Sequence, residues 1–438
     1  MTLLAELGAA LRAIPAVAAE GRLREVSGDR LVIGGLTPLL AVGDGLRLRA
    51  RDGGSVRAEV TGFLREGVAA SALDPMAEVG PGSPVRLCRP AADLYPADGW
   101  IGRVVDPFGR PLDGLPLGKG ERRSLRGTPV PATTRGRLGA PLHLGITALD
   151  LFTPCRAGQR LGLFAGAGIG KSTLLGMLAR NAACDVAVLG LVGERGREVR
   201  EFLEDELGPD GRARTVAVVA TSDMPPIVRR NCADAALAVA EYFRDQGKHV
   251  LLLLDSLTRY CHALREIGLA AGELPAARGS PPSVFAHLPR LHERAGPGAE
   301  VAGKAGQITA IFSVLVDGDD QTEPVADAVR GFLDGHIVLD RGIADRGRYP
   351  AVDVLRSLSR TAQGCLTAEE AELMLDARRV LARAAETDEL VKLGAYRTGS
   401  DPDLDRALDQ GRRIEALLRQ APHEHRDRPF AALQAALA

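Results

Sequence analysis

Residues 162–173, GLFAGAGIGKST, constrain the fold more than any other stretch: an apolar strand ends in a glycine-rich loop, followed by Lys, Ser and a helix. This reads as a phosphate-binding loop. Gly166, Ala167, Gly168, Ile169 and Gly170 form the turn, and its glycines let successive backbone N–H groups face phosphate oxygens while the helix start adds its positive dipole end. Lys171 reaches the β and γ phosphates, and Ser172, followed by Thr173, offers a hydroxyl ligand to Mg²⁺. The usual motif begins with Gly, and this chain has Ala165 there. Only five of its 55 cationic residues are Lys, so one seated between Gly170 and Ser172 is no accident of composition.

A metal-bound nucleotide also needs a carboxylate at the end of a neighbouring strand. VLLLLDS supplies Asp255 after the apolar run 250–254, which matches a Walker B aspartate. Hydrolysis needs a group to orient or deprotonate water, and the apolar run 186–192 leads into Gly193, Glu194 and Arg195. Glu194 is the candidate base. Glu198 lies four residues on, within reach of the same water.

The 438 residues allow two to four domains. A formal net charge of -1 leaves no overall basic field for a polyanion. Six cysteines include no CxxC pair, which suits reduced thiols. No apolar run approaches the ~20 residues of a membrane span, and the first charges, Glu6 and Arg12, do not make a signal peptide, so a cytoplasmic chain is expected.

Along the chain the pattern changes three times. Residues 1–18 place Leu4, Leu7, Leu11 and Ile14 on one face of an amphipathic helix. Packing on the chain's own next domain and docking on a partner both suit that face. Residues 19–89 carry short alternating runs broken by Gly and Asp, the pattern of a small β-barrel. Residues 90–365 alternate apolar runs with helix-length segments, the pattern of an α/β domain with a mostly parallel sheet. Residues 366–438 read as a helical domain, opened by a Thr367–Glu370 capping box and a second helix start at Asp401 and Pro402.

Together these segments resemble the hexameric ATPases of the rotary F-type and V-type superfamily, from GRVVDPFGRPLDG (102–114) through VGERGREV (192–199) to RYPAVDVLRSLSR (348–360). Within it the wording is similar to the type III protein-export ATPases, in FAGAGIGKS with its Ala165, PPSVFAHLPRLHERAG (281–296) and GAYRTGSDPDLD (394–405). ERAGPG (293–298) and the stretch from Val316 to Val338 resemble the flagellum-specific members, whereas AEYFRDQGK and REIGLAAGE also occur in injectisome wording.

The resemblance implies the fold just described, with a RecA-like central domain, and ATP with Mg²⁺ as ligands. It implies Glu194 as catalytic carboxylate, and Arg195 and Arg259 near the phosphates. Arg360 matches the arginine finger offered to a neighbouring subunit, a role that suits a planar, permanently charged guanidinium. Tyr349 matches the aromatic that stacks on adenine, although a core tyrosine beside Pro350 fits the same residues. The acidic stretch 317–323 lacks the spacing of a calcium loop. It reads either as a solvated turn or, by resemblance, as a loop whose Asp319, Asp320, Thr322 and Glu323 face a coiled-coil central stalk protein.

The expected enzyme is therefore a homohexameric, Mg²⁺-dependent ATPase energising flagellar protein export, peripheral to the inner membrane. Its implied partners are export gate membrane proteins, export chaperones and cargo, and a regulatory or stator protein at the N-terminal helix. The alternatives are an injectisome secretion ATPase and a non-catalytic nucleotide-binding scaffold subunit, for which Glu194 is the wrong residue. Nucleic acid is not an expected partner, because the barrel segment carries one aromatic, Phe63, and no stacking platform.

Overall fold

The computed structural model describes residues 19–88, 93–300, 305–316, 323–392, 396–397, 399–426 and 429–438. The chain divides into two compact units. The first is built on six antiparallel strands, β1 (Glu20–Ser27), β2 (Arg30–Gly34), β3 (Gly45–Arg49), β4 (Ser55–Leu64), β5 (Gly67–Ala72) and β6 (Pro84–Leu87). They close in the order β1-β2-β5-β4-β3-β6, which leaves no free sheet edge. Period-two alternation sends Leu23, Leu31, Ile33, Leu46, Leu48, Val56 and Val85 into one core. Gly67 permits the close approach of two strands: at φ +154° a Cβ there would lie 2.4 Å from the Ile33 carbonyl oxygen.

The second unit is organised by a nine-stranded sheet. Within it the strand Arg160–Ala165, third from one edge, leads into the glycine loop and lies between the parallel strands Gln307–Leu315 and Gly335–Val338. The parallel strands His249–Asp255, Val186–Glu194 and Thr215–Thr221 continue the sheet on the Gln307–Leu315 side. Both faces of these strands are covered, which is why the runs read as continuous Val, Leu and Ile rather than as alternation. The far edge is a short antiparallel strand, Leu358–Ser359, paired with Gly335 and His336.

Three helices follow, Ala368–Lys392, Pro402–Leu418 and Pro429–Leu437. The expected capping box is present: Glu370 N donates to Thr367 Oγ1 at 3.2 Å and Thr367 N to Glu370 Oε2 at 2.9 Å. Asp401 caps the second helix by accepting from Asp403 N and Leu404 N. Ala377, Leu381, Ile414, Leu418 and Leu433 join the same core as the P-loop helix residues Leu174 and Leu178. The architecture is thus the expected barrel, mostly parallel central sheet and C-terminal helices. Among the described residues, no helix is long and apolar enough to cross a membrane.

Candidate active site

The carboxyl ends of the central strands meet around the glycine loop, where ligands bind in open α/β sheets. Ala165 closes its strand fully buried, paired with Leu315. Among the described residues only Glu78 and Arg278 combine a side chain with positive φ, so Ala165 sits on backbone that needs no glycine. The glycines that the turn requires come later, Gly168 at φ +75° and Gly170 at φ +86°. Ile169, 1% exposed, anchors the loop in the core while Ala167 and Gly168 stay open to solvent. Arg341 Nη2 steadies it by donating to the Ala167 carbonyl at 2.7 Å.

Lys171 opens the helix Lys171–Asn181, with Gly170 as its N-cap. Its Nζ pairs with Asp255 Oδ1 and lies 3.9 Å from Glu194 Oε1. Asp255 Oδ1 also accepts from Ser313 Oγ at 2.6 Å. Glu194 Oε2 lies 3.1 Å from Arg259 Nη2, and the same guanidinium donates through Nη1 to the Gly193 carbonyl. Burial, with the neighbouring charge of Asp255, pushes the Glu194 carboxyl up to about 7 against the opposing pull of Lys171 and Arg259. Glu198 adds a smaller upward push.

This arrangement sets a cation at the mouth of the glycine loop, a buried carboxylate beside it, and a second carboxyl that changes protonation near neutrality. Asp255 and Ser172 offer hard oxygen donors of the kind Mg²⁺ accepts. A donor set this small suits an ion that keeps waters and phosphates as its other ligands.

The remaining expected residues are distributed unevenly. Tyr349 joins the site: its ring lies so close to Gly170 that a Cβ there would be 3.3 Å from two ring carbons. Thr173 turns aside, its hydroxyl donating to Glu206 Oε1 at 2.8 Å. Arg195 caps the helix Gly196–Glu201 from the surface, 74% exposed at its side chain and 3.3 Å from Glu198, outside the Lys171 cluster. Arg360 lies at the opposite end of the sheet. Its backbone N donates to the Asp334 carbonyl, and Asp334 N donates to the Arg160 carbonyl at the start of the loop strand. Glu323 is the N-cap of the helix Pro324–Phe332. Asp319, Asp320, Thr322 and the N-terminal residues 1–18 lie outside the described residues.

Three site residues escaped the sequence reading: Ser313, Arg341 and Gln420. Gln420, 2% exposed, donates its backbone N to the Tyr349 carbonyl, while its side chain accepts from Thr147 N and donates to the Gly145 carbonyl, each at 2.9 Å. Its Nε2 also donates to the Glu424 carbonyl at 2.8 Å, and no spacing in the sequence marks a glutamine for these contacts.

Residues 145–359 match the nucleotide-binding domain of the ATP synthase alpha/beta family, and residues 366–438 match the C-terminal domain of the type III secretion ATPase EscN. The chain is 48% identical to a flagellum-specific ATP synthase of Caulobacter vibrioides, over 95% of each chain. It is 42% identical to one from Salmonella typhimurium, over 98% of this chain and 95% of that one. It is also 46% identical to a type 3 secretion system ATPase of Xanthomonas euvesicatoria, over 91% and 88%. Among solved structures, the assembled ATPase EscN of the enteropathogenic E. coli type III secretion system superposes with a TM-score of 0.87 at 36% identity, covering 95% of this chain and all of that one. A further structure shows EscN in complex with its central stalk EscO, with a TM-score of 0.84 at 35% identity, over 95% of this chain and all of that one. The chain therefore belongs to the ATP synthase alpha/beta family and, within it, to the type III protein-export ATPases.

Proposed function

We propose that this ATPase works as an Mg²⁺-dependent homohexamer that energises flagellar protein export, releasing or unfolding cargo at a membrane-embedded gate. The partly buried cluster of Lys171, Asp255, Glu194 and Arg259 at the glycine loop is the observation that carries the chemistry. The backbone of 166–170, with Lys171, Ser172 and the backbone N–H of Thr173, holds the phosphates, and Lys171 exchanges Asp255 for the γ phosphate. Asp255 and Ser172 would hold Mg²⁺, which when bound would neutralise charge on the phosphate oxygens. Glu194 receives the proton of the attacking water, oriented through its second oxygen by Arg259. Arg195 reaches the phosphates by leaving Glu198, and Tyr349 packs its ring on adenine.

Arg360 completes the site from outside. It stands at the amino end of the parallel strands, five strand steps, or about 17 Å, from the loop of its own subunit. A finger so placed serves a neighbour's γ phosphate, which supports a ring of identical subunits. Residues 319, 320, 322 and 323 contact a coiled-coil central stalk protein; the existence of an EscN complex with its central stalk EscO supports a partner of that kind. Residues 1–18 dock a regulatory or stator protein, and the assembly sits on the cytoplasmic side of the inner membrane with gate proteins, chaperones and cargo.

The flagellar reading rests on the relatives named for that system, and an injectisome role on the Xanthomonas relative. Two measurements test the proposal. Lys171→Ala should lose nucleotide binding, whereas Glu194→Gln should bind ATP and fail to hydrolyse it; near-normal turnover by Glu194→Gln refutes its role as base. Disruption of the gene should abolish filaments, and loss of effector secretion with filaments intact would assign the chain to an injectisome.

A further inference from the structure

We infer that Gln159 is a positioning residue for the arginine finger, holding Arg360 from both sides and tying it to the strand that carries its own subunit's glycine loop. The inference rests on the reading of Arg360 as a finger. Gln159 is fully buried and immediately precedes the strand Arg160–Ala165. Its Nε2 donates to Ser359 Oγ at 3.0 Å, and its Oε1 accepts from Thr361 Oγ1 at 2.7 Å. Those two hydroxyls flank Arg360 in sequence. The amide also donates to the Asp334 carbonyl at 3.3 Å and accepts from Arg156 N at 2.9 Å. Two donors and two acceptor sites are thereby all engaged, which fixes the orientation of the amide.

The Asp334 carbonyl that Gln159 contacts is the same one that accepts the Arg360 backbone N at 2.9 Å, and Asp334 Oδ2 accepts from Arg160 N at 3.0 Å. Residues 359–361 are thus pinned to the start of the loop strand by side-chain and backbone bonds together. Their own strand, Leu358–Ser359, is two residues long and supplies little pairing of its own. A displacement of the loop strand in one subunit therefore moves the finger that this subunit presents to the next. Gln159 touches no part of its own nucleotide site, which lies at the other end of the strand.

The experiment is complementation between full-length variants, each nearly inactive alone. Gln159→Ala should lower kcat by about 10²-fold, the order expected when a catalytic group is displaced by about 1 Å, while KM for ATP stays near its wild-type value. Mixed with Glu194→Gln it should regain activity, because some interfaces then join an intact Glu194 to a well-held Arg360. Mixed with Arg360→Ala it should not, because neither subunit brings a working finger. Thr361→Val, which removes the hydroxyl's bond to Gln159 and its longer contact with Ser359 Oγ at nearly constant volume, should give a milder kcat loss and the same pattern of mixing.

Wild-type kcat in both variants overturns the inference, as does a raised KM with unchanged kcat. Rescue by Arg360→Ala overturns it too, since that places the defect in the variant's own site, and so does failure to be rescued by Glu194→Gln. If Arg360→Ala itself hydrolyses normally, the finger reading fails first; if Arg360→Ala is inactive and the Gln159 and Thr361 variants are normal, only the present inference fails.

Discussion

Glu194 shows at the residue scale how a site stores chemistry at the expense of stability. Among the described residues its Oε1 has no hydrogen-bond partner, and burial beside Asp255 raises its pKa from the ordinary 4.5 to about 7. A carboxyl raised in the folded state favours folding fully below pH 4.5, and that contribution is lost as pH rises through 7. Above pH 7 the ionised group burdens the nucleotide-free fold. Glu194→Gln should therefore raise the melting temperature of the empty protein at pH 8, with the gain shrinking towards pH 5. Equal melting temperatures at both pH values would show that the carboxylate is fully compensated by Lys171 and Arg259. The same residue illustrates what the sequence could reveal. Glu194, Asp255 and Lys171 were readable because each ends a strand or opens a helix, places fixed by local apolar pattern. The resemblance implies Arg259 near the phosphates; in the structure it pairs with Glu194 and the Gly193 carbonyl, an arrangement that depends on how two elements far apart in sequence come together.

At the scale of the element, the glycine loop separates two requirements that a motif pattern joins. Ala165 belongs to the strand, so Ala165→Gly should leave nucleotide affinity and turnover close to wild type, at a cost of about 0.5–1 kcal/mol in strand stability. Gly170 belongs to the turn. A side chain there meets both a left-handed backbone penalty of about 1–2 kcal/mol and the Tyr349 ring at 3.3 Å, so Gly170→Ala should weaken ATP binding in a direct titration. A Gly170→Ala protein with normal affinity would mean that the turn is less constrained than its geometry indicates. The C-terminal helices reach the same loop through Gln420, whose backbone N holds the Tyr349 carbonyl. Gln420→Ala keeps that N–H but removes the side-chain bonds to Thr147, Gly145 and Glu424 that hold residue 420 in place, so it should raise KM for ATP more than it lowers kcat, loosening the aromatic without touching Glu194. These helices were legible from their caps and apolar spacing. Their connection to the loop was not, because a glutamine reveals its partners only once the chain has folded.

At the scale of the whole molecule, the chain keeps its glycine-loop cluster and Arg360 at opposite ends of the same parallel strands. Lys171 and Glu194 lie at the carboxyl ends of the parallel strands, while Arg360 is fastened to Asp334 beside their amino ends. On the proposed reading of Arg360 as a finger, the two groups meet only when a second copy brings its Arg360 to the first. No feature of the LRSLSRT stretch announces this; among so many arginines, Arg360 was identifiable by resemblance, and its separation from the loop became visible only in the sheet topology. Hydrolysis should accordingly belong to the assembly. Specific activity of the wild-type protein should rise with protein concentration and level off once subunits are fully assembled. Arginine fingers are typically worth ~10³ to 10⁵ in turnover, so Arg360→Ala should lower kcat by orders of magnitude while nucleotide affinity changes much less. Raising the concentration should not restore it, since assembly then completes a ring that lacks its last catalytic group. A specific activity independent of concentration, together with normal hydrolysis by Arg360→Ala, would mean that each subunit hydrolyses ATP alone.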